Sequence, residues 1–182
     1  RTTYKKYQVG TSKMYNGATV FWQMDNTGKI RTGKIMAYDI AKGKRKKNKY
    51  EKSLIYWVHS ALKIPKDSIR QCLFGLHLLN AKTKQVAIVE SEKTALIMSI
   101  EFPQYTWMST GSLQGFKYEY LAPLKGTAII AFPDKGGYVQ WQKTADILND
   151  KGFDIKVSQF LENKEYKDGW DLVDILNYES KK

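Results

Sequence analysis

The sequence has very few residues of the kinds that form disulfides or structural zinc sites. Its 182 residues include one cysteine, Cys72, and two histidines, His59 and His77. A single cysteine cannot form an internal disulfide, and these three residues cannot complete the usual set of four zinc ligands. We therefore expect no zinc in this segment and interpret Cys72 as a small buried hydrophobic residue.

The sequence also lacks a hydrophobic run long enough to cross a membrane. No apolar stretch approaches the roughly 20 residues that a spanning helix needs. The sequence also has no basic start followed by an apolar core, the pattern that indicates a signal peptide. We predict a cytoplasmic protein without a membrane partner. The chain begins with Arg1 and not with Met, which is consistent with a segment of a longer protein.

Acidic residues are scarce in the first part of the chain. Residues 1–80 contain 17 Lys or Arg and only 4 Asp or Glu, a formal charge of +13, whereas residues 81–182 carry −1. The excess is concentrated in a run at 41–52, which is either a solvated loop or a contact for nucleic acid. The candidate nucleic-acid-binding residues are Lys44, Arg45, Lys46, Lys47, Lys49 and Lys52.

The first 80 residues predict a small β-rich subdomain. Residues 1–17 show no clear period and are expected to form an extended or partly ordered arm. Residues 19–23 and 29–38 favour two strands joined by the turn at 25–28. Residues 54–62 fit either a strand or a short helix. We place a domain boundary between residues 80 and 81, after the apolar segment 73–79.

The segment VAIVESEKTA is the clearest signal of the second domain, residues 81–182. Val86 to Val89 form an unbroken apolar run, which is typical of a parallel strand covered on both faces. Ser91 is a suitable N-cap for a helix that continues to Glu101. Glu90 is therefore predicted to lie at the carboxyl end of the strand, where ligands bind in open α/β sheets.

A second apolar run, residues 127–132, leads to Asp134 in the same way. Two carboxylates at the ends of neighbouring parallel strands can share Mg²⁺ or Mn²⁺. Residues 105–110 and 153–160 predict two more strands, residues 138–151 a helix, and Gly111 and Ser112 a tight turn beside the site. The loop with Asp168 leads to a last helix with Asp171 as N-cap. This alternation predicts an α/β domain with a mainly parallel sheet flanked by helices.

These motifs resemble the Toprim domain of DNA primases, topoisomerases and related nucleases. VESEKTA is similar to its first motif, STGS to its small-residue turn, FPDKGG to its aspartate motif and KDGWDL to its closing acidic segment. The upstream segments FWQMDNTGKIRTGKIMAYD and QCLFGLHLL resemble the subdomain that precedes Toprim in primase-like proteins of mobile elements and phages, including a set in Bacteroidetes.

The resemblance implies roles for individual residues. Glu90 corresponds to the catalytic acid and Lys93 to a basic companion, and Mg²⁺ would be held by Glu90, Asp134, Asp168 and Asp171. The small residues Gly111, Ser112, Gly136 and Gly137 would shape the turns. Gly136 departs from the family, because a second aspartate usually stands there. We therefore expect one weakly bound Mg²⁺ or Mn²⁺.

Three functions remain open from the sequence. The first is primer synthesis in DNA replication, a Mg-dependent nucleotidyl transfer on single-stranded DNA or RNA from nucleoside triphosphates. The resemblance implies a helicase or an upstream zinc-binding domain as further partners. The second is a nucleic-acid-binding module that keeps the fold and has lost catalysis, as Gly136 favours. The third is a nuclease that uses the same metal site.

Overall fold

A computed structural model describes residues 2–163 and 165–181. The first part of the chain forms a four-stranded antiparallel sheet. Its strands are β1 (Gly10–Ser12), β2 (Ala18–Met24), β3 (Ile30–Met36) and β6 (Ile55–Trp57). Between β3 and β6, the strands β4 (Tyr38–Asp39) and β5 (Lys44–Arg45) form a separate two-stranded ribbon. The spatial order is β1-β2-β3-β6. The β-rich N-terminal part predicted from the hairpin signals is confirmed.

The turn between β2 and β3 is organised by Asp25. One carboxylate oxygen accepts hydrogen bonds from the backbone and hydroxyl of Thr27 and from the backbone of Lys29. The other oxygen pairs with Arg31 at 2.6 Å. The hydrogen bond from the Thr27 hydroxyl is the main reason that the pKa of Asp25 lies below its ordinary range. The charged carboxylate thus holds the hairpin in register.

The second part of the chain forms a parallel sheet of four strands. They are β7 (Gln85–Val89), β8 (Thr106–Ser109), β9 (Ala128–Phe132) and β10 (Asp154–Val157), in the spatial order β10-β9-β7-β8. Every neighbouring pair runs parallel. The α-helices among the described residues are α1 (Thr3–Lys6), α2 (Val58–Ala61), α3 (Glu92–Glu101), α4 (Tyr118–Leu121), α5 (Tyr138–Asn149) and α6 (Leu172–Glu179). The predicted α/β class is confirmed.

Apolar clusters cover both faces of the parallel sheet. On one face, Val86 and Ile88 pack with residues of α4 and α5, including the fully buried Trp141. On the other face, Ala87 and Val89 pack with residues of α3 and α6. Because both faces are buried, alternation with polar residues is not possible in these strands. This explains the unbroken apolar runs in the sequence.

The antiparallel sheet shares a core with the parallel one. Tyr7, Phe21, Met36 and Phe74 belong to the same apolar cluster as Val89. Cys72, Leu73 and Leu76 contribute to the cluster on the opposite face, and Cys72 is buried as expected. The division of the chain between residues 80 and 81 stays a prediction.

Three local predictions are wrong or incomplete. Residues 2–17 do not form an extended arm, because the fully buried Tyr7 donates a hydrogen bond to the carbonyl of Trp107 and anchors the segment. Ser91 is at the N-cap of α3 but makes no capping hydrogen bond through its side chain. The basic run is exposed as predicted, yet it contains β5 and is not entirely irregular.

Among the described residues, no helix is long and apolar enough to span a membrane.

Candidate active site

Glu90 and Asp134 lie side by side at one edge of the parallel sheet. β7 and β9 are neighbours, with Val89 opposite Phe132 at their carboxyl ends. The next residues bring the two acids together, and the backbone N–H of Asp134 donates to Oε1 of Glu90 at 3.2 Å. The sheet therefore places these two predicted site residues as the strand pattern indicated, while their roles stay predictions.

Burial makes both acids of this pair hard to ionise, and the charge of Glu90 adds to the effect at Asp134. Burial, together with the negative charges of Glu90 and Asp171, raises the pKa of Asp134 to about 8. Burial also raises the pKa of Glu90, partly offset by the hydrogen bond from the Asp134 backbone. A cation placed between the two carboxylates would relieve this repulsion.

The predicted small-residue turns lie against Glu90. The backbone N–H of Gly111 donates to the Glu90 carbonyl at 2.8 Å, and Ser112 follows in the same turn. A Cβ atom on Gly137 would lie 3.1 Å from Oε1 of Glu90 and 2.9 Å from Leu113. Gly136 has a φ of +92° with open space around its Cα. Gly137 thus leaves room for the close approach of Glu90, whereas Gly136 has the positive φ of a turn that favours glycine.

The ligand roles predicted for Asp171 and Asp168 stay predictions, and the structure places the two acids differently. The carboxylate of Asp171 accepts from the backbone N–H groups of Val173 and Asp174, both at 2.9 Å, and from the hydroxyl of Thr94. It is thus the N-cap of α6 that the sequence predicted, in a capping box with Asp174. Asp168 lies on an exposed loop.

The residues of this site fit a metal ion that needs few protein ligands. Within residues 2–163 and 165–181, no group of three or more His, Cys, Asp or Glu is arranged to hold an ion. Mg²⁺ is nevertheless often bound by one or two carboxylates, with water and substrate phosphates completing its octahedral shell. Glu90 and Asp134 meet this requirement, and the raised pKa of Asp134 marks the position where a cation would be favourable.

Basic residues of the N-terminal half face the acids across a cleft of about 410 Å³. Its lining combines the basic side chains of Lys44, Arg45, Lys47 and Lys93 with Asp134, Asp171 and Asp174. The positive charge of Arg45 lowers the pKa of both Glu90 and Asp134, although burial outweighs it. The cleft therefore presents cations and carboxylates to one ligand, which suits a phosphate group with a bound metal.

Only some of the predicted nucleic-acid-binding residues line the cleft. Lys46, Lys49 and Lys52 do not line the cleft. The ammonium group of Lys49 lies over the ring of Tyr50 at 5.0 Å, and the backbone of Lys46 is hydrogen-bonded to Ala37 and Leu54. Lys93 lines the cleft, and its Nζ donates to the carbonyl of Gly43 at 3.3 Å. Lys93 thus links α3 to the ribbon that carries Lys44 and Arg45.

The sequence analysis missed a buried ion pair below the cleft. Nζ of Lys34 lies 3.2 Å from Oε1 of Glu92 and also donates to the carbonyl of Gly111 at 2.7 Å. Lys34 is on β3, whereas Glu92 starts α3 two residues after Glu90. The sequence around a buried lysine on a strand does not indicate which acid it pairs with. Only the structure could therefore identify the pair.

The first comparisons with known proteins are between sequences. A family model described as "Domain of unknown function (DUF6371)" matches residues 1–135. No curated protein matches the chain significantly.

The fold is that of primase domains. The primase fragment of the bacteriophage T7 primase-helicase protein superposes with a TM-score of 0.59 at 17% identity, covering 98% of this chain and 65% of that one. The RNA polymerase domain of Mycobacterium tuberculosis primase DnaG, in complex with double-stranded DNA, gives 0.55 at 16% identity, covering 94% and 54%. The Aquifex aeolicus primase, with its zinc-binding and RNA polymerase domains, gives 0.55 at 12% identity, covering 96% and 42%. The chain thus spans less than two thirds of each of these structures.

Proposed function

We propose a primase-like function for this chain, which belongs to the family described as a domain of unknown function, DUF6371. The reaction is metal-dependent nucleotidyl transfer on single-stranded nucleic acid, with nucleoside triphosphates as substrates. The observation that carries the proposal is the contact between Glu90 and Asp134 at the ends of adjacent parallel strands, with Asp134 lining the same cleft as Lys44 and Arg45. The Toprim-like motifs and the primase fold support it.

The residues around the cleft divide into three roles. Glu90 and Asp134 would hold Mg²⁺ or Mn²⁺, and Glu90 is also the candidate general base, because burial raises its pKa above the ordinary value of a glutamate. When bound, the ion would neutralise phosphate charge and orient the triphosphate. Arg45, Lys44 and Lys93 would bind phosphate oxygens directly. Asp171 would act indirectly, by fixing the start of α6 next to the cleft.

The biological setting is proposed from the resemblance to primase-like proteins of phages and mobile elements. One structural neighbour belongs to a primase-helicase protein and another includes a zinc-binding domain. We propose that this chain likewise acts in DNA replication beside a helicase or a zinc-binding domain. Such a partner would deliver the template strand to the cleft.

A second candidate is a binding module without catalysis. The position usually taken by a second aspartate is Gly136, whose backbone N–H donates to Glu162 at 3.0 Å. Of the four predicted carboxylate ligands, Glu90 and Asp134 are in direct contact, whereas the Asp171 carboxylate caps α6. Loss of the second aspartate would weaken the metal site while leaving the basic side of the cleft intact.

A template-dependent synthesis assay tests the proposal. The full chain is incubated with single-stranded DNA, the four ribonucleoside triphosphates and Mg²⁺ or Mn²⁺, and the products are resolved by length. We expect short RNA products that disappear with EDTA and with Glu90→Gln. The matched control is Glu119→Gln, since Glu119 is an exposed acid on α4 outside the cleft. Shortened template would indicate a nuclease, and binding without any product would favour the binding module.

A further inference from the structure

Trp170 lies between two adjoining cavities and lines both of them. One is the cleft of about 410 Å³ that contains Asp134. The other, of about 420 Å³, lies towards the end of the chain, where Lys42 and Lys181 contribute to its lining. Lys44, Trp170 and Asp174 line both cavities. The two spaces therefore form parts of one groove, with the indole of Trp170 in its wall.

The backbone of Trp170 is tied to the loop that carries Asp134. The N–H of Lys135 donates to the Trp170 carbonyl at 2.9 Å, and the N–H of Gly169 donates to the Lys135 carbonyl at 3.0 Å. Lys135 directly follows Asp134. These paired hydrogen bonds hold the backbone of Trp170 beside the loop of Asp134, so a group stacked on the indole lies near Asp134.

Two further rings support the indole. Tyr166 stacks on it, with ring centroids 6.1 Å apart and an angle of 25° between the planes. Tyr178 packs against it edge-on at 5.4 Å. Trp170 remains partly exposed within this group. A rigid, partly exposed aromatic surface beside basic side chains is the arrangement with which proteins bind single-stranded nucleic acid.

We propose that the groove binds single-stranded nucleic acid and that a base of the strand stacks on Trp170. Lys42, Lys44 and Lys181, which line the groove, bind phosphates of the strand, and Trp170 sets the distance from the stacked base to the Glu90–Asp134 pair. The inference rests on the proposed function and deepens it, because it names the residue that positions the template. The occupant is a polynucleotide strand, since the groove continues past the acid pair into the second cavity.

Photocrosslinking of the unmodified chain tests the position of the base. A single-stranded oligodeoxynucleotide with 5-bromouracil at successive positions is irradiated in complex with the full chain, and the crosslinked residue is identified by mass spectrometry. We expect crosslinks at Trp170, strongest for one position of the oligonucleotide. Crosslinks confined to residues outside the groove would overturn the inference, as would none in a saturated complex.

Substitutions test the stacking contribution. Trp170→Leu should weaken binding of oligo(dT) about 5- to 100-fold, while Trp170→Phe should restore most of the affinity. The dependence of affinity on salt should be unchanged in both variants, because stacking releases no counterions. The matched control is Trp57→Leu, since Trp57 lies on β6 of the antiparallel sheet, outside the groove. Thermal unfolding of each variant checks that the fold is intact.

The outcomes separate this inference from the proposed function. Equal affinities for Trp170→Leu and the unmodified chain would overturn the stacking role, although primer synthesis could still be observed. If Trp170→Leu failed to fold, the crosslinking result would decide. If binding of a free nucleoside triphosphate were weakened and binding of oligo(dT) were not, the groove would be a nucleotide pocket and the inference would be wrong.

Discussion

Nζ of Lys34, on the antiparallel sheet, lies 3.2 Å from Oε1 of Glu92, at the start of the helix that follows Glu90. The Lys34 side chain is 6% exposed and that of Glu92 is 1% exposed. The pair therefore joins the two sheets in a place that water does not reach. It holds the sheet that carries the basic ribbon against the turn beside the acid pair.

Removing one member of this pair should be strongly destabilising. Lys34→Met leaves the Glu92 charge buried without a partner, and we expect the free energy of unfolding in urea to fall by about 3–5 kcal/mol. The double variant with Glu92→Leu should recover much of this loss, because no uncompensated charge remains. The exposed pair Lys47–Glu51, at 2.9 Å, is the control. Its disruption should cost less than about 1 kcal/mol. Equal costs at both pairs would contradict this account.

The ionisation of Asp134 should make stability depend on pH. Burial raises its pKa to about 8, whereas the pKa of an unfolded aspartate is about 3.9. Between these values the folded chain keeps a proton that the unfolded chain has lost. The free energy of unfolding should therefore fall by several kcal/mol as the pH rises from about 4 to about 8, and then level off.

Asp134→Asn isolates this contribution. Urea unfolding of the unmodified chain and the variant is compared across the pH range, with EDTA present. The difference between the two curves should slope as described, since the other titrating groups are common to both. Parallel curves would show that Asp134 titrates normally.

The basic run should contribute unequally to binding of single-stranded nucleic acid. Lys44, Arg45 and Lys47 line the cleft, whereas Lys46, Lys49 and Lys52 do not. Replacing the first three by Gln should reduce the slope of log affinity against log salt by about 2, because each lost phosphate contact on a single strand accounts for about 0.7. Replacing Lys46, Lys49 and Lys52 by Gln is the control, because it removes the same charge from the same segment. An equal reduction in both variants would mean that the run acts only through its total charge.

Asp171 should behave as a helix cap and not as a metal ligand. Asp171→Ala should lower the free energy of unfolding by about 0.5–2 kcal/mol, whereas Asp171→Asn should retain most of it, because asparagine is also an effective N-cap. Calorimetry should give the same Mg²⁺ affinity for Asp171→Asn and the unmodified chain within about twofold. A larger loss of affinity would restore Asp171 to the ligand set that the resemblance implied.

The order of elements and the positions of Glu90 and Asp134 could be predicted because they depend on local patterns. Strands buried on both faces have unbroken apolar runs, and parallel strands bring their carboxyl ends to one edge. The capping role of Asp171 has a local signal of the same kind. The anchoring of Tyr7 under Trp107 and the pairing of Lys34 with Glu92 join residues 100 and 58 positions apart. No short-range pattern encodes such contacts. For the same reason the division of the basic run emerged only from the structure.

The most direct test of the central claim is a calorimetric Mg²⁺ titration of the full chain at pH 9, where Asp134 is ionised, with Glu90→Gln and Asp134→Asn in parallel. We predict one weakly bound ion in the unmodified chain, its loss in both variants, and much weaker binding at pH 6.5, where Asp134 keeps its proton. Glu119→Gln should bind Mg²⁺ as the unmodified chain does. Binding that survives in Glu90→Gln and Asp134→Asn, or that is absent from the unmodified chain at pH 9, would contradict the account.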